Sequence, residues 1–169
     1  MKRTLVLTLL TALLLAVMAV PAMAQETGAS KVGTTSKFGV GLGGGTMTSG
    51  LSAKYYLTEK AAVQAAVGFN GWGTSADLDY VMEFKPLFNH EAGHLFWGAG
   101  AGVGAYMYTF WAGATYTEFS VSGIVELGWH FSQFPVEVVT DWRPTFVTGD
   151  LGYAGLYLAG SGGAVRYYF

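Results

Sequence analysis

The chain has 169 residues, which allows one domain, and its lack of cysteine excludes disulfide frameworks and thiolate metal sites. Hydrophobic residues make up 51% of the chain and charged residues only 12%, about half the usual share, so the charges are too few to cover a soluble surface of this size. The net charge of -2 argues against nucleic acid as a partner, because nucleic-acid binding requires a cationic surface.

The N-terminal segment has the three parts of a secretory signal. Lys2 and Arg3 precede an apolar run over 5–20, and small residues with an Ala-x-Ala pattern follow up to Ala24. This order is typical of a signal peptide that is cleaved after Ala24. The alternative is an N-terminal membrane anchor, but a spanning helix requires about 20 apolar residues. We therefore predict a cleaved signal peptide at 1–24.

Residues 25–36 are small and polar without periodicity, which predicts a flexible periplasmic tail. From residue 37 onward, apolar residues alternate with polar or very small ones, and eight such segments follow one another up to residue 169. Alternation with a period of two indicates β-strands with one apolar face. The predicted strands cover 38–43, 51–57, 63–70, 80–85, 95–107, 119–130, 136–143 and 157–169. We expect a loop at 71–78 between the third and fourth strands.

Alternating segments of about ten residues are the pattern of transmembrane β-strands. After residue 24 the chain has no apolar run long enough for a spanning helix. Only helices and closed barrels satisfy the backbone hydrogen bonds within lipid. We therefore predict an all-β fold, an eight-stranded antiparallel up-and-down transmembrane β-barrel over 37–169. An even number of strands places both termini on one side, which is the periplasm in this architecture.

A soluble up-and-down barrel of the lipocalin type is the competing architecture. It would place the apolar face inside and the polar face outside. The outer surface would then carry mainly Gly, Ser and Ala with few charges, while several Trp and Phe would crowd a small interior. The membrane barrel fits the composition better.

Charged side chains fall on the predicted inward face, where a narrow eight-stranded barrel leaves little room. They are Lys54, Glu83, Lys85, Glu126, Glu137, Asp141, Arg143 and Arg166. Four are cationic and four anionic, so we expect them to pair into a salt-bridge network, because unpaired buried charge is strongly disfavoured. The many inward glycines would leave space for these longer side chains.

The short turn after the sixth strand predicts the register of the sixth and seventh strands. It places His130 beside Glu137, and Glu126 beside Asp141. Two adjacent carboxylates could serve as an acid–base pair, since each raises the cost of ionising the other. The interpretation that we prefer is structural pairing with nearby cations.

Two other motifs resemble a zinc site and a catalytic pair, but their spacing or position does not fit these functions. His90, Glu91 and His94 are one residue too closely spaced for the zinc motif His-Glu-x-x-His, and they fall in a turn rather than on a helix. The pair His130 and Ser132 is similar to the His-x-Ser pair of the outer-membrane lipid A deacylases. Here, however, it falls at a periplasmic turn, whereas that family carries its pair near the outer leaflet. We therefore predict no catalytic residue, no metal site and no cofactor.

Aromatic residues are expected at the two membrane interfaces, because Trp and Tyr are enriched there. The tryptophans that we assign to these belts are Trp72, Trp97, Trp111, Trp129 and Trp142. On the last strand, Val165, Tyr167 and Phe169 share the apolar face. This ending resembles the closing strand of bacterial outer-membrane β-barrels, in which a C-terminal Phe and alternating apolar residues form the signal that the assembly machinery recognises.

The signal peptide, the eight alternating strands and the aromatic C-terminus together resemble the small outer-membrane β-barrel superfamily that includes OmpA-like and OmpX-like proteins. The resemblance implies a bacterial outer-membrane location and a monomer. It implies outer-membrane lipid, including lipopolysaccharide, and the barrel-assembly machinery as partners. It favours a noncatalytic role in envelope structure. The alternatives are a narrow pore or carrier for small solutes or apolar molecules, and a lipid-modifying outer-membrane enzyme.

Overall fold

The computed structural model describes residues 37–70, 73–84, 86–109, 113–150 and 154–169. The predicted signal peptide at 1–24 and the predicted tail at 25–36 lie outside the described residues. Every regular element in the described part is a β-strand. None of the described residues forms a helix that is long and apolar enough to cross a membrane.

The described residues form eleven strands. They are β1 (Phe38–Gly44), β2 (Ser49–Tyr56), β3 (Ala61–Asn70), β4 (Gly73–Glu83), β5 (Phe88–His90), β6 (Gly93–Thr109), β7 (Thr115–Phe131), β8 (Val136–Trp142), β9 (Thr145–Gly149), β10 (Ala154–Tyr157) and β11 (Ser161–Tyr168). All the pairings between them are antiparallel.

The sheet closes on itself. The order around the wall is β1, β2, β3, β4, β6, β7, β8 and β11, and β11 pairs with β1 to complete the ring. The three short strands extend this wall: β5 adds to β6 beyond β4, β9 adds to β7 beyond β8, and β10 pairs with β9. The predicted all-β, eight-stranded antiparallel barrel is therefore confirmed. Closure leaves no unpaired edge along the central ring.

The register between β7 and β8 is the one that the short turn predicts. Glu126 lies opposite Asp141, and His130 lies opposite Glu137. The same register continues from β8 into β9 across Pro144, which has no backbone N–H to donate. The Pro144 carbonyl still accepts a hydrogen bond of 3.0 Å from the backbone N–H of Gly123. The pairing of β7 with β8 and then with β9 is thus continuous across Pro144.

The expected loop at 71–78 is wrong for 73–78, because β4 already begins at Gly73. Gly and Asp are depleted in most strands, so their presence at 73–78 makes the alternating pattern hard to recognise. The residues nevertheless alternate: Asp77 and Asp79 are buried, whereas Leu78 is exposed. Polar residues fit here because they occupy the inward face of the barrel. The fourth strand is therefore longer than predicted and carries two further acidic side chains.

The two faces of the wall have opposite character. Large apolar side chains lie on the outside, where Leu42 and Phe69 are both 67% exposed, while the Lys54 side chain is completely buried. The exposed large apolar residues of the wall include Val40, Leu42, Leu51, Phe69, Leu78, Tyr80, Met82, Trp97, Val103, Phe119, Val121, Val125, Leu127, Val138, Trp142, Phe146, Val165 and Tyr167. This distribution is the reverse of that in a water-soluble domain.

Neighbouring strands approach each other closely where a glycine lies on the inward face of the barrel. A Cβ atom added at Gly41 would collide with the backbone carbonyl of Val165 on β11, and one at Gly100 would collide with the carbonyl of Tyr80 on β4. Backbone atoms of a paired strand cannot move aside without disturbing the ladder. These glycines therefore permit the close approach of neighbouring strands in a narrow barrel.

We expect Gly41→Ala to destabilise the barrel by about 1–3 kcal/mol, because the added methyl group has no space. Gly123→Ala is the matched control, since its Cβ would meet only the Pro144 ring, at 3.6 Å. The control should change the free energy of unfolding by less than about 0.5 kcal/mol. Chemical denaturation of both variants, refolded in detergent, checks this expectation. Equal stabilities would show that Gly41 has no steric role.

Candidate functional site

The barrel interior contains most of the charged residues of the wall. Of the eight predicted lumen charges, Lys85 lies outside the described residues, and the other seven are all buried. Three further buried carboxylates, Asp77, Asp79 and Glu118, were not predicted. The described interior thus holds seven carboxylates and three cations, namely Asp77, Asp79, Glu83, Glu118, Glu126, Glu137, Asp141, Lys54, Arg143 and Arg166. The expected equality of positive and negative charges is not found in this part of the chain.

The Lys54 ammonium lies at the centre of the larger cluster. Its Nζ atom is 2.5 Å from Glu83 Oε1, 3.0 Å from Glu137 Oε2 and 3.6 Å from Glu126 Oε1. Lys54 extends from β2, and its three acidic partners come from β4, β8 and β7. We name this cluster the Lys54 network; its members are Lys54, Tyr56, Gln64, Glu83, Glu126, His130, Glu137, Arg166 and Tyr168.

Arg166 connects the Lys54 network across the barrel. Its guanidinium donates hydrogen bonds to Glu137 Oε1 at 2.6 Å, to Gln64 Oε1 at 2.5 Å and to Ser52 Oγ at 3.0 Å. Gln64 in turn donates to Glu126 Oε2 at 2.9 Å. Charged partners shorten and strengthen such bonds. A continuous set of hydrogen bonds therefore joins opposite sides of the wall.

His130 belongs to the Lys54 network. It lies on β7, within the predicted strand 119–130, and is only 1% exposed, whereas Ser132 of the His130–Ser132 pair follows the end of β7 at Phe131. The His130 ring stacks on Phe96 with a centroid distance of 4.2 Å. Nε2 lies 3.5 Å from Glu83 Oε2, and Nδ1 lies 3.6 Å from Glu137 Oε2. The imidazole is enclosed by structural partners.

Two tyrosine hydroxyls donate further hydrogen bonds to the carboxylate oxygens that Lys54 contacts. Tyr56 donates to Glu83 Oε1 at 2.6 Å, and Tyr168 donates to Glu137 Oε2 at 3.1 Å. Both rings are 1% exposed. A buried Tyr normally pairs its hydroxyl group in this way. The network therefore closes the end of the barrel that contains the two chain termini.

The only grouping with metal-ligand spacing in the described part of the chain is Glu83, His130 and Glu137, whose ligand atoms lie within 4.8 Å of one another. The Lys54 ammonium, however, makes short contacts with Glu83 and Glu137 and already provides the positive charge between them. A metal ion would have to displace this ammonium. The donor set therefore fits an internal ion pair better than a metal site.

A second cluster lies nearer the opposite end of the barrel. Arg143 donates two hydrogen bonds to Asp79, at 3.2 and 3.0 Å, and two to Asp141, at 2.8 and 3.2 Å. This is the bidentate geometry that a guanidinium favours with carboxylates. With the adjacent Asp77, these residues form what we name the Arg143 network. It contains three carboxylates and one cation.

Glu126 and Asp141 are neighbours in the register but bind different cations. Glu126 lies near Lys54, whereas Asp141 is held by Arg143. Each carboxylate thus has its own counter-ion, as the structural interpretation of the pair predicts. Because each carboxylate is paired with a cation, this arrangement does not favour an acid–base pair.

A small polar cavity lies between the two networks. Its lining includes Ser52, Gln64 and Asp77, together with Arg143 and Arg166. It has room for about one water molecule. Larger solutes would have to displace the ion-paired side chains to pass through the barrel.

The tryptophans that the structure describes lie on the outer face of the wall. Trp97 and Trp142 are exposed on the wall at 38% and 51%, and Trp129 is half-buried on β7. The Trp142 indole donates a hydrogen bond of 2.6 Å to the Leu158 carbonyl. Trp72 and Trp111 lie outside the described residues. At the C-terminal end, Val165 and Tyr167 on β11 and Phe169 after it are 53%, 49% and 70% exposed.

The period of two could have revealed several network residues that the sequence analysis missed. Asp77 and Asp79 have the same parity as Glu83, and Glu118 has that of Glu126. Tyr56 and Tyr168 each follow a predicted charged residue by two positions. All of them therefore share the inward face of a strand with a predicted residue. The assignment of 71–78 to a loop concealed Asp77, and Asp79 was left just before the predicted strand 80–85.

The chain matches no protein-family model, no curated protein and no solved structure. An assignment of function therefore depends on the geometry of the barrel and its interior.

We expect Lys54→Met to destabilise the barrel by about 3–5 kcal/mol, because it leaves buried carboxylates without a counter-ion. Lys60→Met is the control, since Lys60 is exposed in the turn between β2 and β3. Adding Glu83→Gln to Lys54→Met should recover part of the loss by removing one unpaired charge. Denaturation curves for the three variants measure these differences. A stable Lys54→Met protein would contradict the central role of this ammonium.

Proposed function

We propose that the chain is an integral outer-membrane β-barrel protein with a noncatalytic, structural role in the cell envelope. The observation that carries this proposal is the distribution of polarity, with large apolar side chains on the outside and charged side chains inside. A contiguous apolar surface of this extent would be a strong aggregation hazard in water. In lipid it is the expected outer surface of a barrel.

Closure of the sheet supports a membrane location. Within a bilayer, every backbone N–H and C=O must bond within the protein, and a closed barrel achieves this for strands. The central ring has this property, because β11 pairs with β1 over Gly39–Gly44. The backbone N–H of Phe169 also donates a hydrogen bond of 3.0 Å to Phe38 O. The two ends of the described chain thus meet at the same end of the barrel.

The orientation follows from the export signal that the sequence predicts at 1–24. Both termini would remain in the periplasm, and the outward row of Val165, Tyr167 and Phe169 would be available to the assembly machinery. The surrounding partner would be outer-membrane lipid, including lipopolysaccharide. We propose a monomer, because the ring is complete within one chain.

The two networks favour a structural role over an enzymatic one. The His130 nitrogens face Glu83 and Glu137 inside the barrel, whereas a lipid substrate would lie against the outer wall. The Arg143 network joins β4 and β8 through charge-assisted hydrogen bonds. Such contacts hold the wall at a fixed diameter. A lipid-modifying enzyme remains an alternative that no contact in the described residues favours.

The proposal predicts effects of very different size at two positions with equal exposure. Val121 on β7 and Phe134 in the turn after it are both 59% exposed. Val121→Arg should weaken folding into lipid bilayers by about 2–4 kcal/mol, because it places a charge against hydrocarbon. Phe134→Arg should have a much smaller effect, since its turn would be in contact with water.

Heat-modifiable migration on SDS gels, combined with denaturation of the barrel in lipid vesicles, measures both effects. The wild type should give a compact band before heating and a slower one after it. Solubility without detergent, with equal tolerance of arginine at both positions, would contradict the membrane proposal and favour the soluble barrel.

A narrow pore is the second candidate, and the small cavity between the two networks is the observation that favours it. Planar-bilayer recording distinguishes the two functions. We expect no discrete conductance steps from the wild type, because the ion-paired side chains close the interior. Reproducible steps that Gly102→Leu abolishes, and that the outward control Ala101→Leu leaves intact, would favour the pore instead.

A further inference from the structure

The turn between β1 and β2 lies at the end of the barrel opposite the chain termini, and it bends inward. The pairing of β1 with β2 ends at Gly44 and Ser49, so residues 45–48 form the turn. Connecting segments normally run over the protein surface, yet Thr48 is only 2% exposed. Gly45 lines the small polar cavity of the interior. We name residues 45–48 the strap.

The strap contacts two separate parts of the wall. On one side, the Thr46 Oγ1 atom lies 3.1 Å from Thr145 Oγ1, at the start of β9. On the other side, the Thr48 hydroxyl lies beside the Asp77 carboxylate of β4. The wall order from β4 to β9 passes through β6 and β7. The strap thus spans the lumen between β4 and β9.

The strap covers the guanidinium of the Arg143 network directly. A Cβ atom added at Gly45 would lie 2.8 Å from Arg143 Nη1 and 2.9 Å from Arg143 Cζ, so the backbone of the strap packs against the guanidinium. Arg143 is only 5% exposed, although arginine is rarely buried to this degree. The strap therefore helps to separate this guanidinium from water at its end of the barrel.

The contacts that hold the strap are weaker than those beneath it. The contact between Thr46 and Thr145 joins two neutral hydroxyl groups, and Thr46 is exposed, so water competes for it. Outside the strand ladders, no backbone hydrogen bond among the described residues involves residues 45–48. Arg143, in contrast, makes four hydrogen bonds to carboxylates, and charge-assisted bonds are roughly twice as strong as neutral ones. A segment with few hydrogen bonds opens locally at a smaller free energy than global unfolding requires.

We propose that the strap is a lid over the lumen, held closed by the contacts of the Thr46 hydroxyl with β9 and of the Thr48 hydroxyl with β4. When the lid opens, the small cavity beneath Gly45 and the Arg143 network connect with water at the end opposite the termini. The contacts described for the Lys54 network do not include the strap, so the end near the termini stays closed. Opening therefore produces a pocket with one entrance rather than a channel. This conformational change goes beyond the structural role proposed above.

The experiment measures by NMR how fast the Arg143 Nε–H proton exchanges with water, in the chain refolded in uncharged detergent. This proton lies beneath the strap and is donated to Asp141. The backbone amides of β8, which pairs with β7 on one side and β11 on the other, report global unfolding in the same sample. Thr46→Val keeps the shape but removes the hydroxyl, so it should accelerate Arg143 exchange about threefold to tenfold, the factor for losing one neutral hydrogen bond. Thr46→Ser, which keeps the hydroxyl, should exchange at nearly the wild-type rate, and the β8 amides should not change.

A disulfide can lock the strap, because the chain contains no cysteine of its own. Thr46→Cys combined with Thr145→Cys places two thiols where the hydroxyls lie 3.1 Å apart. Oxidation should slow Arg143 exchange several-fold, and reduction should restore it. Thr109→Val is the matched control, since it removes a hydroxyl from another exposed pair of threonines, 3.2 Å from Thr115, that does not cover Arg143. It should leave Arg143 exchange unchanged.

Two results would overturn the lid. One is Arg143 exchange that changes neither in Thr46→Val nor on oxidation of the cysteine pair. The other is equal acceleration of Arg143 and the β8 amides in Thr46→Val, because Arg143 would then exchange only through global unfolding. The measurement requires no membrane, so a failure of the lid would leave the proposed location unaffected.

Discussion

The barrel depends on a lysine side chain that is completely buried among carboxylates. Lys54 contacts Glu83, Glu126 and Glu137, which extend from three different strands, so one ammonium holds four parts of the wall together. Removing charges from water has a large cost, and only close geometry with additional hydrogen bonds offsets it. Here Arg166, Gln64, Tyr56 and Tyr168 supply those bonds. The narrow diameter of an eight-stranded barrel brings all these groups within reach of one another.

The two ends of the interior differ in their balance of charge. Near the termini, Lys54 and Arg166 share a dense set of hydrogen bonds with Glu83 and Glu137, which favours rigidity. Toward the other end, Arg143 alone pairs with both Asp79 and Asp141, and Asp77 lies nearby. Positive and negative charges are therefore more nearly balanced at the end with the termini.

The period-two pattern predicts the barrel, the wall order and the β7–β8 register, because side-chain alternation depends only on the backbone. It also places Glu126, Glu137 and Arg166 on the inward face, where the structure has them. Asp77 and Asp79 were not predicted because Asp is depleted in β-strands in general. The polar inward face of this barrel is a context in which that general preference does not apply. The pairing of particular charges could not be predicted, since contacts such as Lys54 with Glu83 join strands that are not neighbours in the ring. Those distances depend on the tilt and closure of the whole sheet.

The glycines on the inward face also affect how such a sequence can change in evolution. At an outward position such as Val121, any apolar residue would preserve the character of the wall, so substitutions there are nearly independent of one another. At Gly41 the neighbouring backbone carbonyl of Val165 occupies the space of a side chain, and at Gly102 the Asp79 carboxylate does. A larger residue at Gly102 requires a smaller one in place of Asp79 on the facing strand, whereas at Gly41 no side-chain change can remove the carbonyl. The exterior can therefore accept single apolar substitutions, while the interior accepts compensating pairs at some glycines and no side chain at others.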